Sequence, residues 1–363
     1  MSTFSFSQLA IKCVAAAVPA HVHTFDQSSR RAARFSKQMG IDEVHISVTE
    51  QTALDLGYVA LKQALAHVGW QAQDLDLVIF DTQTPDFRGA VGDSLLLHKY
   101  LQLKESCAVF DMTMGCAALP YLITVAGSLM NSSPDLHRAA ILTGDSKWIN
   151  FKDTAEIEAT AAHLSGEGTG VMLLERAPAA PLTTQIFAQG QGYLHLFNLP
   201  SLKNTWQRSE EYILPDGARW HVGSSDNKNY MNGMAIHEFV TGPVCDQIKE
   251  LWGDKLDLFD YVVFNQSNQQ MLDCVCANLK LPPEKMLTSL KHYGNTSCAS
   301  PLVTICYHKD ELNAGAHLFS ACSGIGLTWG FMDYHLPANA VLPIIPTDHR
   351  FTEHMLQPVS SEA

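Results

Sequence analysis

Three features of the chain predict a layered α/β fold built by internal duplication. Helix-period and strand-like segments alternate along most of the 363 residues. Buried-type apolar strands repeatedly open onto a polar loop and then a helix. The segment VIFDTQTPD (78–86) is also paralleled by VVFNQSNQQ (262–270) in the second half. Composition agrees with this reading: 46% hydrophobic and 17% charged residues, against a usual charged share of ~25%, exclude a disordered chain. With 24 Lys and Arg against 37 Asp and Glu the net charge is -13, which argues against a nucleic-acid binder or an anionic-membrane binder.

Taken in order, AIKCVAAAVPA (10–20) reads as a strand, since no cationic segment precedes it and Lys12 interrupts its apolar run. A capping box at Ser47-Val-Thr-Glu50 then introduces a helix carrying Leu54, Leu61, Leu65 and Val68. DLVIFDTQ from Asp76 is a buried strand, SLLLHKYL from Ser94 a helix, AVFDMTM from Ala108 a strand and AALPYLITVAGSLM from Ala117 a helix. RAAILTGD and GVMLLER are two further strands. The second half repeats the order with a helix over 235–252, the strand YVVFNQSN, a helix over 269–279, LTSLKHYGNTS leading into another helix, and the closing strands HLFSACS and GLTWGFM. The predicted organisation is residues 1–177 as one half, 178–337 as the other with a cap inserted at about 178–230, and 338–363 as a loosely structured tail.

Nine cysteines scattered through apolar stretches without paired spacing suit a reducing, cytoplasmic setting rather than a disulfide framework or a metal site. No run of ~18 apolar residues predicts a membrane span. No cofactor and no metal is implied. Cys116 is singled out by position: it follows an apolar strand and opens an apolar helix, where exposed N–H groups and the helix dipole favour a thiolate. Spacing alone leaves both a nucleophile and a packed core thiol open.

The segment FDMTMGCAALPYLITVA resembles the nucleophile motif FDxxxxCAGFxYAL of the β-ketoacyl-acyl-carrier-protein synthase III group of the thiolase superfamily. Six further collinear segments resemble that group: TPDFRGAVGDSLLLHKYL, SGEGTGVMLLE, YMNGMAIHEFV, VVFNQSNQQML, LKLPPEKMLTSLKHYGNTSCASPLVTI and CSGIGLTWGFM. The resemblance implies a duplicated thiolase-type five-layer αβαβα fold, usually a homodimer. It also implies an enzyme in which a cysteine is acylated from a thioester and passes the acyl group to a second substrate. Cys116 matches the nucleophile and Asn295 the family's asparagine, while Asn265 stands where the HQAN pattern has histidine. Ile325 takes a position in the CSGIG turn whose backbone N–H, with that of Cys116, would meet an oxyanion. Phe87 matches an aromatic that reaches across the dimer into the neighbouring acyl pocket, or packs the interface.

An Asn amide can donate a hydrogen bond but cannot exchange a proton. Asn265 therefore leaves three readings: condensation through a Cys-Asn-Asn site, acyl transfer without decarboxylation, or a weak or non-catalytic partner subunit in a heteromer with another synthase. The histidines His163, His292 and His317 are candidates to approach the site. Where coenzyme A-binding members read WIxxRTGIxxR, the chain has RFSKQMGIDEV, placing Arg34, Gln38 and Val44 at the Trp and two Arg positions. Arg30, Arg31, Arg34 and Lys37 then either hold a phosphate or form a solvated helix face. Glu238 and Gln270 replace the lysine and arginine that meet the carrier protein, pointing to a specialised carrier or partner. Together these departures predict a specialised fatty-acyl, polyketide or other secondary-metabolite pathway fed by an acyl thioester on a carrier protein or coenzyme A.

Overall fold

The computed structural model describes residues 2–25, 28, 30–87, 91–146, 165–198, 211–213, 215–217, 219–221 and 229–352. Two six-stranded mixed sheets dominate it. The first has β2 (Ala10–Pro19), β3 (Leu77–Asp81), β4 (Ala108–Met112), β5 (Arg138–Asp145) and β6 (Gly168–Glu175), in the order β2-β6-β5-β3-β4. The second has β7 (Leu182–Ala188), β8 (Tyr261–Phe264), β9 (Met286–Leu287), β10 (Ala316–Gly324) and β11 (Thr328–Leu336), in the order β7-β11-β10-β8-β9. In each order the last three strands pair in parallel and the preceding ones antiparallel, and the sixth strand of the first sheet, at residues 345–347, adds to β2 in parallel, so β3 and β8 hold equivalent places. The parallel between VIFDTQTPD and VVFNQSNQQ is thus a parallel of position, and the duplication is real at the level of topology.

Helices complete five layers. On one face of the first sheet, α2 (Ala53–Val68) and α3 (Asp93–Leu101) bury Leu54, Leu61, Leu65 and Leu97 against Val78, Phe80 and Leu142. Between the sheets lie α4 (Ala118–Ser132) and α8 (Ser300–Tyr307), whose Leu119, Leu122, Leu302 and Ile305 share a core with Ile79 and Ile141 on one side and Leu318 and Met332 on the other. Beyond the second sheet, α6 (Cys245–Trp252) and α7 (Gln269–Leu279) pack Ile248, Trp252, Leu272 and Val275 on Val262, Phe319 and Phe331. Two helices buried all round explain why AALPYLITVAGSLM lacks an amphipathic stripe.

Four expectations are corrected. The capping box of α2 lies at Thr52 and Asp55, whose carboxylate accepts from the Thr52 N–H at 2.8 Å, while Ser47 Oγ donates to the Thr49 carbonyl. Both sites fit the same pattern, and the buried Asp55 nearer the apolar face wins. The helix expected over 235–252 is present as one unbroken helical run and corrected only in form: α5 (Gly233–Phe239) and α6 are its two ends, and between them it widens into a π turn at Val240–Val244, where Pro243 has no N–H to give. Residues 182–188 are not cap but the core strand β7, paired with β11 and with a further strand, β1 (Ser2–Phe6), formed by the chain's first residues. Residues 199–210 and 222–228 of that expected cap lie outside the described residues. The tail after Pro337 is not loose up to residue 352: β12 (Ile345–Thr347) pairs with β2, and the Phe351 ring stacks on Tyr100. Pro at 343 and 346 suits this edge strand rather than excluding it.

Candidate functional site

The parallel strands of both sheets end at one place, where loop residues from the two halves face each other. Cys116 sits there in a single 3₁₀ turn, Gly115–Ala117, between β4 and α4. The equivalent turn of the second half, Ser297–Ala299, precedes α8 and faces it. Two hydrogen-bonding systems join them. In the first, Asn265, directly after β8, donates from Nδ2 to the Cys116 carbonyl at 2.9 Å and accepts on Oδ1 from the Ser323 N–H at 2.7 Å. In the second, the Cys116 Sγ lies 3.7 Å from Ser297 Oγ, which donates to Asp145 Oδ2 at 2.6 Å.

Asp145, at the end of β5, is a collecting point. Besides Ser297 it accepts from Thr82 Oγ1 at 3.2 Å, the Gln83 N–H at 2.7 Å, Gln83 Nε2 at 2.9 Å and Cys298 Sγ at 3.3 Å. Gln83 Nε2 also reaches Ser297 Oγ at 3.3 Å. Gly115, at φ +56, permits this approach, since a Cβ there would stand 3.2 Å from the Gln83 side chain. Asn295 accepts on Oδ1 from the Ser297 N–H at 2.9 Å. Gly324, the last residue of β10, lies so close that a Cβ would come within 3.0 Å of both the Cβ and the amide N of Cys116. That contact brings the CSGIG turn, with Ile325, against the Cys116 backbone.

The electrostatics overturn one expectation. A helix N-terminus predicts a stabilised thiolate, yet burial pushes the Cys116 thiol up to about 11, with the nearby carboxylates of Asp145 and Asp81 pushing the same way and the Ser297 contact opposing. Burial is the largest of these effects, and the field of the turn that opens α4 does not offset it. Asp81 is itself raised well above the usual carboxylate range by burial. Cys116 is only partly buried, as are Cys274 and Cys276, while the other six cysteines are buried.

The remaining residues singled out by sequence fall elsewhere. Phe87 packs, half-buried, against the outer core under α2 and α3. His292 Nδ1 meets Glu43 Oε1 at 2.8 Å. His317 Nε2 meets Asp333 Oδ1 at 2.6 Å, and it lies near the opposite end of β10 from Gly324, about 23 Å away at strand rise. The expected approach of His317 to the site is therefore corrected; His163 lies outside the described residues. Arg34 and Lys37 are exposed on α1 (Arg30–Met39), and the side chains of Arg30 and Arg31 lie outside the described residues. Gln38 Nε2 donates to Gln270 Oε1 at 2.8 Å, so two positions expected to be basic are joined as a neutral amide pair. Glu238 is exposed on α5. Ser297, Asp145 and Gln83 were not anticipated, although each stands at the end of a buried strand or inside the YGNTS segment, where such polar residues are conspicuous.

Among the described residues no helix is long and apolar enough to cross a membrane. The family "3-oxoacyl-[acyl-carrier-protein (ACP)] synthase III C terminal" matches residues 253–335. Over 303 residues the chain is 29% identical to a β-ketoacyl-[acyl-carrier-protein] synthase III of Clostridium perfringens, covering 80% of this chain and 86% of that one. In structure it is similar to a 3-oxoacyl-(acyl-carrier protein) synthase of Burkholderia xenovorans, with a TM-score of 0.84 at 24% identity over 95% of this chain and 99% of that one. It is also similar to the priming β-ketosynthase of the R1128 polyketide pathway, with a TM-score of 0.72 at 18% identity over 92% and 97% of the two chains. With its five layers and two equivalent halves, the chain has the thiolase-type fold of these solved synthases, and its sequence is similar to that of β-ketoacyl-[acyl-carrier-protein] synthases III.

Proposed function

We propose that the chain is an acyltransferase that forms an acyl thioester on Cys116 and hands the acyl group to a second substrate in a specialised fatty-acyl or polyketide-type pathway. The observation that carries this reading is the close approach of Gly324 to Cys116, which packs the CSGIG turn against a partly buried cysteine at the convergence of both sheets. The N–H of Cys116 and that of Ile325 are the donors for the oxyanion, and the Asn295 amide is the donor for a thioester oxygen of the second substrate. Phe87 is assigned to the acyl pocket of a second copy. Transfer without decarboxylation is favoured over condensation by the use Asn265 makes of its amide: one N–H holds the Cys116 carbonyl and the oxygen holds Ser323.

Intact-protein mass spectrometry after incubation with acyl-coenzyme A and acyl-carrier-protein thioesters tests the covalent step. One adduct is expected, mapped to Cys116. An adduct on Cys274 or Cys276 with Cys116 unmodified overturns the assignment.

A further inference from the structure

Acylating a thiol requires that its proton go somewhere, and the groups around Cys116 restrict where. Among the described residues, the amides of Asn265 and Asn295 donate but take up no proton, and His292 and His317 are engaged with Glu43 and Asp333. With the thiol pushed up by burial and neighbouring acids, its proton leaves during the attack and not before it. Ser297 is the hydroxyl in contact with Sγ. It owns a single proton, and that proton is given to Asp145, on which five donors converge. Gln83 Nε2 fills one acceptor site of the hydroxyl. The other faces Cys116, so in this contact the thiol is the donor. The residue is held there by a left-handed backbone at φ +54, uncommon for serine, with its N–H fixed on Asn295.

We propose that Ser297 is a catalytic residue that relays the Cys116 proton, and that Asp145 is the positioning residue that orients its hydroxyl and receives the proton. This rests on the acyl-transfer reading above. As Sγ bonds to the thioester carbonyl carbon, the Sγ proton passes to Ser297 Oγ and the hydroxyl's own proton passes to Asp145 Oδ2. As the tetrahedral intermediate collapses, the bond from carbon to the leaving sulfur breaks. That sulfur takes a proton from Ser297 Oγ, and Asp145 returns its proton to the hydroxyl. No proton is gained or lost, and no second base is needed.

Two reactions of Cys116 separate this role from a structural one. Alkylation by iodoacetamide needs only an accessible thiolate, whereas acylation by an acyl thioester needs the relay. In Asp145→Asn the carboxylate that disfavours the thiolate is gone, so alkylation stays within about threefold or rises. Acylation, measured by single-turnover mass spectrometry, is expected to fall by ~10² or more for loss of a proton acceptor. Ser297→Gly, which suits the positive φ while removing the hydroxyl, is expected to show the same split, and Ser297→Thr to recover part of the acylation rate. Acylation within about threefold of the unmodified protein in both variants overturns the relay, as does a parallel fall of both reactions. If the unmodified protein is alkylated at Cys116 but acylated by no thioester, the acyl-transfer reading itself fails, a result distinct from failure of the relay.

Discussion

Asn265 spends both ends of its amide on main chain, so its removal is felt twice. Asn265→Ala leaves the Cys116 carbonyl and the Ser323 N–H without their partner, at a cost of about 1–3 kcal/mol for each group that stays dry. Urea unfolding is expected to show a lower midpoint at unchanged slope, and the proposed acylation of Cys116 is expected to slow because the Cys116 peptide is no longer held. For the same reason release of carbon dioxide from a malonyl thioester by the unmodified protein is expected to be slow; brisk release, unchanged in Asn265→Ala, would assign that work elsewhere. The thiol gives a pH test with a fixed sign. A group raised to about 11 is protonated throughout the neutral range. Its alkylation rate is therefore expected to climb about tenfold per pH unit from 7 to 9 without a plateau, whereas a dipole-stabilised thiolate would plateau near neutrality. At this scale the sequence displays candidate residues more readily than what they touch. Cys116, Asn265 and Asn295 are readable from their motifs, but the Asp145 carboxylate that governs the thiol's surroundings is 29 positions away from it along the chain, and only the parallel pairing of β3 with β4 and β5 brings those strand ends together.

At the scale of elements, the site is two short turns, Gly115–Ala117 and Ser297–Ala299, each leading into a helix buried between the sheets. Apolar runs this complete are easily recognised as buried, and the period of β-strands fully covered on both faces is equally plain. What periodicity does not carry is where a polar end residue pairs. Two capping boxes compete before α2, and the one with the buried acid prevails; β7 reads as part of a cap because LTTQIFA is mixed in polarity, yet its Thr184 and Gln185 are satisfied inside by Thr124 and Trp252. The junction between β10 and the Cys116 turn is the most constrained of these contacts. Gly324→Ala places a methyl 3.0 Å from two Cys116 atoms, an overpacking that typically costs about 1–3 kcal/mol. The expected outcome is a folded protein with a modestly lower melting temperature and a much slower acylation of Cys116. Unchanged acylation would show that the CSGIG turn is not the wall of the reacting centre.

The whole molecule joins its halves by exchange: β1, from the start of the chain, completes the second sheet, and β12, from the far end, completes the first. These crossings make the division at 177 and 178 one of topology rather than of separable bodies. At its other edge the first sheet ends on β4, the strand AVFDM that runs into the Cys116 turn. Among the described residues no strand pairs its outer side, and Ala108 and Asp111 are exposed while Val109, Phe110 and Met112 are only partly buried. An apolar edge strand without a covering element is a template for another strand, and a second copy related by a twofold axis would extend the sheet antiparallel through it. A low charge share points the same way. Sedimentation at micromolar concentration is expected to give a homodimer, and Ala108→Glu, which brings a charge into the paired strands from each copy, is expected to shift it to monomer. A monomeric unmodified chain would overturn the homodimer and leave β4 as the edge for a different synthase, whose addition should then restore both the larger species and the acylation of Cys116.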